Sequence, residues 1–515
     1  MLTELVSAEA MRRIDASCGI APLSLMENAA KAAVAAVEKM LIGRTKRRVL
    51  VAAGRGNNGG DGFALARLIS GTTRVRIVTT AQEADLKGEA LENFRRAREN
   101  GIEFLSTDRA GDAVKESDLV VDALLGTGAA SRPLTPELSR LIESMNGASS
   151  RTHCILALDL PSGIDADTGR ILAGESRHVV RADATITFGR AKPGLYLYPG
   201  AAMAGEITVD PIGIPDSCFA DMKGRRPSAR EISPLLPRRS PIAHKGSSKL
   251  LVIGGAGGMA GAALLAAYAA LKSGTGYVFL SMPKGAADHG WPVEAVRKPL
   301  PSREQAGLDG TYFDRAADAE SFKLAESVHA VVLGGGLGRG ESERIISSRL
   351  TRLMKTPAVI DADAIHQISI PDLSEAGASR VITPHIAEFV SLFGGRIDDV
   401  ERDRIAAALK AAERAAQVVV LKGRPTIIAA PDGRFTVNGA GNELLATCGS
   451  GDVLSGLIGS LLAQGLPSYD AAVCGAHLHG MTAEEWGRPV GLTATSIADL
   501  IAAAWLRVQS STPGI

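Results

Sequence analysis

Residues 47–69 read RRVLVAAGRGNNGGDGFALARLI. The apolar run through Ala53 predicts a buried strand, Gly54 to Gly62 a polar glycine loop, and FALARLI a helix. Strand, glycine loop and helix in that order open a parallel α/β unit. Gly54-x-Gly56-x-x-Gly59 has the form of the dinucleotide fingerprint. That fingerprint also needs an acid at the end of the second strand to hold a ribose, and here the strand ends Val78-Thr79-Thr80. An ordinary Rossmann NAD site is therefore not expected. What remains is a row of backbone N–H groups at a helix start, which favours an anion such as phosphate. The alternative is a turn kept small so that strand and helix pack closely. Asn57, Asn58 and Asp61 are more polar than packing requires, which favours a site.

Short β-branched runs alternate with Ala- and Leu-rich stretches along all 515 residues. This predicts an α/β fold with mainly parallel sheets. The expected strands are 47–53, 74–80, 118–124, 154–160 and 184–189 in the first half. In the second half they are 249–255, 276–282, 330–336, 358–364, 380–384 and 418–423, then a hairpin over 426–437 turning at Asp432-Gly433. Residues 211–243 are rich in Pro and Arg and show no sustained period. They are read as holding the linker, which divides the chain into 1–222, a connector 223–240, and 241–515.

Lys and Arg total 57 against 56 Asp and Glu, and aromatics are 4%. This balance argues against a dedicated nucleic-acid binder, which carries a basic excess and stacking aromatics. Cys18, Cys154, Cys218, Cys448 and Cys474 form no C-x-x-C pair, so neither a disulfide framework nor a Cys-type zinc site is expected. The N-terminus lacks a basic start followed by an apolar core. The most apolar helical stretch, 258–271, is too short to span a bilayer. A reducing, cytoplasmic location with no membrane partner is expected.

Two more strand ends carry acids, Asp122 after LVV and Asp159 after CILAL. Ligands of parallel sheets sit at the carboxyl ends of strands, so these two loops and the glycine loop should converge on one crevice. Asn58, Asp122 and Ser162 offer hard oxygen donors, suited to a monovalent or hard divalent cation. The alternative for both aspartates is capping of the turns that follow them.

SLMENAA (24–30), GRGNNGGDGFALAR (54–67), VVDALLGTG (120–128), DLPSGIDADTG (159–169) and GEITVDPIGIP (205–215) resemble the NAD(P)HX epimerase domain over about residues 1–220. The resemblance implies a Rossmann-like three-layer fold that interconverts the R and S forms of NAD(P)HX. That compound is NAD(P)H hydrated at C6 of its nicotinamide ring. By the same resemblance Asn57, Asn58, Gly59, Gly60, Asp61, Gly126, Thr127, Gly128, Ala129, Ala130, Ser131 and Arg132 bind the substrate. Asp159 lies against it as acid and base, and Asn58, Asp122 and Ser162 hold K⁺. The chemistry suits a carboxylate. The C6 hydroxyl sits beside a ring nitrogen whose lone pair helps it leave and return, and proton shuttling contributes about 10²–10⁴-fold.

The second half contains no Gly-Lys pair, which excludes a P-loop. The protein-kinase signatures are also absent. Strand 249–255 runs into AGGMAG (256–261), and TCGSGDVL (447–454) opens an apolar helix to Leu462. Gly-Ser-Gly-Asp at a helix start offers free N–H donors for an anion and sets a carboxylate beside it. A base next to a phosphate hole is what in-line phosphoryl transfer to a hydroxyl requires. The competing explanation of Asp452 is an N-cap on a buried helix.

Other strand ends carry GGGLG (334–338), DAD (361–363), TPH (383–385) and KGRPT (422–426). With HKGSS (244–248) they resemble the ADP/ATP-dependent NAD(P)HX dehydratase, a ribokinase-like α/β fold, over about 240–510. The resemblance implies phosphorylation of the C6 hydroxyl by a nucleotide, then an elimination that restores NAD(P)H. It makes Asp452 the catalytic base and places Ala256, Gly336, Gly338, His385 and Asp452 against NAD(P)HX. It places Lys422, Gly423, Arg424, Pro425, Thr426 and Gly451 against ADP or ATP, with Mg²⁺ on the phosphate oxygens. Gly335 stands where Pro is common, Ile386-Ala387 where Pro-Gly often follows the histidine, and 291–294 fits a Pro-Glu element loosely. His477 and His479 are read as core or surface histidines, because residues two apart share no helix face. Cys448 is read as a small buried residue. The expectation is a repair enzyme with two activities, acting as a homo-oligomer. The rival is a ribokinase-like small-molecule kinase with a non-catalytic N-terminal binding domain.

Overall fold

The computed structural model describes residues 3–129, 134–147, 153–172, 175–286, 290, 292–304 and 310–511. The chain divides into two compact units, Met1–Gly224 and Arg225–Ile515.

The first unit is built on seven parallel strands: β1 (Arg48–Ala53), β2 (Arg74–Thr79), β3 (Glu103–Leu105), β4 (Leu119–Ala123), β5 (Cys154–Leu158), β6 (Ala184–Phe188) and β7 (Glu206–Asp210). Their order across the sheet is β3-β2-β1-β4-β5-β6-β7. Successive residues of β1 face opposite sides. Val49, Val51 and Ala53 pack with helices Pro22–Met40, Asn57–Ile69 and Gly88–Glu99, whereas Leu50 and Ala52 pack with Ala110–Lys115 and Pro136–Asn146. Both faces are covered, which is why the strand is continuously apolar rather than alternating. β3 and β7 were not among the expected strands. β3 is three residues long and β7 is only half-buried, so neither has a marked apolar run.

The second unit places β8 (Lys249–Ile253), β9 (Tyr277–Ser281), β10 (Val296–Arg297), β11 (Ala330–Leu333), β12 (Ala358–Ile360), β13 (Arg380–Ile382), β14 (Val418–Leu421), β15 (Ile427–Ala429) and β16 (Phe435–Val437) in one sheet. The order is β16-β15-β14-β13-β12-β11-β8-β9-β10, parallel except for the terminal hairpin β15–β16 and its pairing with β14. Helices Ala260–Lys272, Ser450–Ala463, Ser468–Glu485 and Ala494–Ser510 cover one face. The proposed connector is not free chain throughout. A short helix spans Ala229–Ile232, and Ile232 and Leu236 are buried in the second unit's core, anchoring the segment after the boundary. Among the described residues no single helix is long and apolar enough to cross a membrane.

In each unit the chain reverses its direction across the sheet at one place. That place lies between β1 and β4 in the first unit and between β8 and β11 in the second. Loops leaving neighbouring strands there diverge to opposite faces and open a crevice at the carboxyl edge. The glycine loop after β1 and Asp122 at the end of β4 flank the first crevice. The loops 254–258 and 334–338 flank the second.

Helix Ser450–Ala463 reaches the second crevice only by packing very close to helix Ala260–Lys272. A Cβ on Gly456 would stand 2.1 Å from the Ala266 carbonyl oxygen. Gly456→Ala gains up to about 1 kcal/mol of helix propensity. The contact is with backbone, which yields poorly, and overpacking of this kind costs about 1–3 kcal/mol. The net change expected is a loss of stability in the second unit, read as a lower denaturation midpoint for its transition.

Candidate active sites

In the first unit the helix begins at Asn57, with Gly56 as its N-cap residue, so NNGGDG forms the first turns of the helix and is not a loop. Two of its glycines serve packing. A Cβ on Gly59 would lie 1.9 Å from the Gly54 carbonyl oxygen, and one on Gly62 would lie 2.6 Å from the Ala123 side chain. Gly60 is buried against Met26 and Ala90. The first turn still leaves its N–H groups without intrahelical partners, so the helix start keeps its affinity for an anion.

Asp122, Ser162 and Asn58 converge beneath that helix start and are all buried. The Ser162 N–H and Oγ–H donate to the two Asp122 oxygens, each at 2.7 Å. The Leu125 N–H donates to Ser162 Oγ at 2.9 Å, and Asn58 Nδ2 donates to the Leu125 carbonyl at 2.9 Å. Burial pushes the Asp122 carboxyl up to about 6 against these hydrogen bonds. Asn58 Oδ1 is buried and has no hydrogen-bond partner among the described residues. A buried acceptor beside a buried carboxylate fits a cation with oxygen ligands.

Asp159 follows β5 with φ +63, in the left-handed region that L-residues other than Asn and Asp rarely adopt. Its Oδ1 accepts from Lys192 Nζ at 2.5 Å and from Thr187 Oγ1 at 3.1 Å. Lys192 is buried and also donates to the Phe188 carbonyl. The second oxygen, Oδ2, is 3.7 Å from where a Cβ on Gly126 would stand, and Asn58 Cβ is 3.2 Å from the same point. Gly126, Asn58 and Asp159 therefore meet. Asp61 is held well above the ordinary carboxylate range, first by burial and then by Asp159 and Asp15. Burial also raises Asp15, on helix Ala8–Ser17. Thr127–Ala129 forms one turn after Gly126, whereas Ala130, Ser131 and Arg132 lie outside the described residues. Lys192 and Asp15 carried no strand-end signal in the sequence, and only the tertiary fold brings them to Asp159.

In the second unit the two glycine loops touch. The Gly255 N–H donates to the Gly335 carbonyl at 3.0 Å, and the Ala256 N–H to the Gly336 carbonyl at 2.6 Å. Gly338 N–H donates to Asp363 Oδ2 at 3.0 Å. Asp452, in the first turn of helix Ser450–Ala463, is half-buried above this pair, and a Cβ on Gly335 would stand 2.9 Å from its Oδ1. Its carboxylate accepts no hydrogen bond from a described residue and is not an N-cap.

Lys422 closes the other side. Its Nζ lies 3.0 Å from Asp361 Oδ1 and 3.7 Å from Glu388 Oε2, and a Cβ on Gly451 would be 3.4 Å from it. Burial works against its charge, but Asp361 and Glu388 hold it above the ordinary lysine value. His385 caps helix Ile386–Phe393, its Nδ1 accepting from the Ala387 and Glu388 N–H groups, while Glu388 accepts from the His385 N–H. Ile386-Ala387 thus begins a regular helix. The rest of the loop leads outward, where Arg424 pairs with exposed Glu443 at 3.2 Å and Thr426 Oγ1 donates to the Gly423 carbonyl. Glu388 belongs to the centre of the site. Asp361 does too, and its place at a strand end is the signal that marked Asp122 and Asp159. Cys448 is exposed, contrary to expectation, because it precedes the turn that enters the helix. Trp291 lies outside the described residues. Among the described residues no three His, Cys, Asp or Glu side chains converge to hold a metal.

Burial and then Asp361 push the Asp452 carboxyl up to about 7, with Lys422 opposing. Asp452 in the free protein is expected to titrate near neutrality, and Lys422→Met should move that titration to higher pH. Carboxyl NMR shifts followed against pH check both, and an unchanged or lower midpoint in the variant contradicts the coupling.

Two family models match the chain: YjeF-related protein N-terminus over residues 22–194, and NAD(P)H-hydrate dehydratase over residues 250–503. The bifunctional NAD(P)H-hydrate repair enzyme Nnr of Moorella thermoacetica is 35% identical over 516 aligned residues, covering 96% of this chain and 95% of the relative. The enzyme of the same name from Escherichia coli K12 is 36% identical, covering 88% of this chain and 84% of its own length. A solved ADP/ATP-dependent NAD(P)H-hydrate dehydratase from Bacillus subtilis, co-crystallised with ATP and Mg²⁺, is 28% identical with a TM-score of 0.48, covering 55% of this chain and 97% of that one. With two crevices of this kind and likeness to full-length relatives across nearly its whole length, the chain belongs to the family of bifunctional NAD(P)H-hydrate repair enzymes.

Proposed function

We propose that the second unit restores NAD(P)H from the S form of NAD(P)HX at the expense of ADP or ATP, and that the first unit supplies that form by epimerisation. The observation that carries the reading is the Asp452 carboxylate. It is half-buried, without a hydrogen-bond partner among the described residues, poised near neutrality and seated at a helix start over two touching glycine loops.

Asp452 takes the proton of the C6 hydroxyl, and the oxygen attacks the nucleotide's terminal phosphorus as the bridging P–O bond breaks. The N–H groups at the start of helix Ser450–Ala463 and the Lys422 amine face the phosphates. The phosphorylated C6 oxygen is a good leaving group. The ring nitrogen lone pair assists cleavage of the C6–O bond, and loss of a C5 proton forms the C5–C6 double bond. Mg²⁺ arriving with the nucleotide would supply charge neutralisation for the transferring group, beside the helix-start N–H groups and Lys422 that face the phosphates. Ala256, Gly336 and Gly338 form the floor for the hydrated nicotinamide, and His385 stands at its edge. Lys422 through Thr426 form the nucleotide side.

In the first unit Asp159 is the acid and base at C6. The Lys192 pair fixes its Oδ1 and leaves Oδ2 toward Gly126 and the crevice. The residues from Asn57 to Asp61 and from Gly126 onward bind the substrate. K⁺ would be held by Asn58 Oδ1, Asp122 and Ser162, which supports the helix start from below.

Recovery of the dihydronicotinamide absorbance band from an R and S mixture of NADHX, with ADP or ATP, tests the assignment. Asp452→Asn should abolish recovery at unchanged epimerisation. Asp159→Ala should leave the R form to slow spontaneous conversion, with the S form still repaired. A stable phosphorylated alcohol without recovery would instead identify a small-molecule kinase.

The cation is tested separately. K⁺ should raise the melting temperature of the first unit and its epimerisation rate more than an equal concentration of a bulky organic cation does. Asn58→Ala should remove most of that difference, and a K⁺ response that survives in the variant argues against the ligand set.

A further inference from the structure

Helix Ser468–Glu485 carries His477 and His479, and both are buried. They do not share a face. His477 has no hydrogen-bond partner for either ring nitrogen among the described residues. His479 Nε2 lies 3.0 Å from the Ser450 carbonyl oxygen and 3.1 Å from Ser450 Oγ. A carbonyl oxygen can only accept, so Nε2 carries the proton. Burial and the Lys422 charge push the ring down to about 4 against the Ser450 hydrogen bond, which leaves it neutral near pH 7.

Ser450 is the first residue of the helix that bears Asp452, and its carbonyl shares a peptide unit with the Gly451 N–H. That unit is planar and trans, so its C=O and N–H point in opposite directions. Inside the helix this carbonyl also accepts the Leu454 N–H, and the hydrogen bond from His479 is a second restraint that holds the peptide with its N–H outward. Gly451 is the second residue of the helix, so this N–H has no intrahelical partner. It stands beside Lys422, since a Cβ on Gly451 would be 3.4 Å from Lys422 Nζ. A hydrogen bond accepted by the carbonyl also polarises the peptide and strengthens its N–H as a donor.

We propose that His479 is a positioning residue of the phosphate hole: by holding the Ser450 carbonyl it aims the Gly451 N–H at the nucleotide's transferring phosphoryl group. The inference rests on the reading of the second unit as a nucleotide-dependent dehydratase. It assigns no contact between His479 and substrate.

The test uses the full-length protein in the NADHX recovery assay with ADP. Removing a direct donor of this kind costs about 10²–10³-fold in rate, so mis-aiming one should cost about 10- to 100-fold. His479→Phe fills the space without a donor. It should lower kcat by that factor and raise the KM for ADP, with the KM for NADHX unmoved. His479→Gln places an amide N–H near the position of Nε2 and should restore most of the activity. His479→Asn, whose amide falls short, should behave like the Phe variant and substitutes for it if that variant does not fold. Epimerisation by the same chain should stay at the wild-type rate in every variant. Equal losses in the Gln and Asn variants, or wild-type kcat and KM for ADP in the variants lacking a reachable donor, would overturn the proposal. Failure of the unmodified protein to recover NADHX would instead remove the dehydratase reading on which it rests.

Discussion

The second active centre depends on how closely two stretches of backbone approach each other. Gly254 and Gly335 come so near that a Cβ on Gly254 would stand 2.2 Å from the Gly335 carbonyl oxygen. Only glycine permits this contact, and the contact closes the floor over which Asp452 is seated. Gly335 matters on its other side as well, because a Cβ there would press on Asp452 Oδ1 at 2.9 Å. Any side chain at position 335 would therefore compete with the Asp452 carboxylate for the same space. The loop's freedom is limited by its hydrogen bonds to the facing loop, which offset part of glycine's conformational cost.

The two units use carboxylates in contrasting environments. Asp159 is tied through one oxygen to a buried lysine and a threonine hydroxyl, so its charge is compensated and its orientation fixed. Asp452 is raised first by burial and then by the acids around it, Asp361 foremost, with Lys422 opposing only in part, so its proton is held until near neutrality. Each arrangement suits the step assigned to it. A base that must pass a proton back and forth at one carbon gains from fixed geometry. A base that must remove a hydroxyl proton as phosphorus is attacked gains from a pKa close to ambient pH.

Much of this organisation was legible in the chain. The strand-ending acids Asp122 and Asp159 point to a sheet edge, because parallel strands bury both faces and leave polar residues only at their ends, and Asp452 is marked by the glycines that open its helix. What was misread follows a physical rule as well. NNGGDG looks like a loop, since glycine is a poor helix former, yet it starts a helix because Gly59 and Gly62 buy closeness to Gly54 and Ala123. β3 and β7 are short or half-exposed and carry little periodicity. Ile232 and Leu236 are isolated apolar residues in a Pro- and Arg-rich stretch, and their burial is a tertiary event.

By itself the sequence determined the α/β class, the two units and the acids at the strand ends, because these depend on local periodicity and on residues that interrupt it. Only the tertiary structure decided which groups surround those acids. Lys192 reaches Asp159 across 33 positions, Glu388 and Asp361 meet at Lys422, and His479 reaches Ser450 across 29. Such pairs are set by the packing of whole helices on a sheet, and no local pattern of residues encodes them.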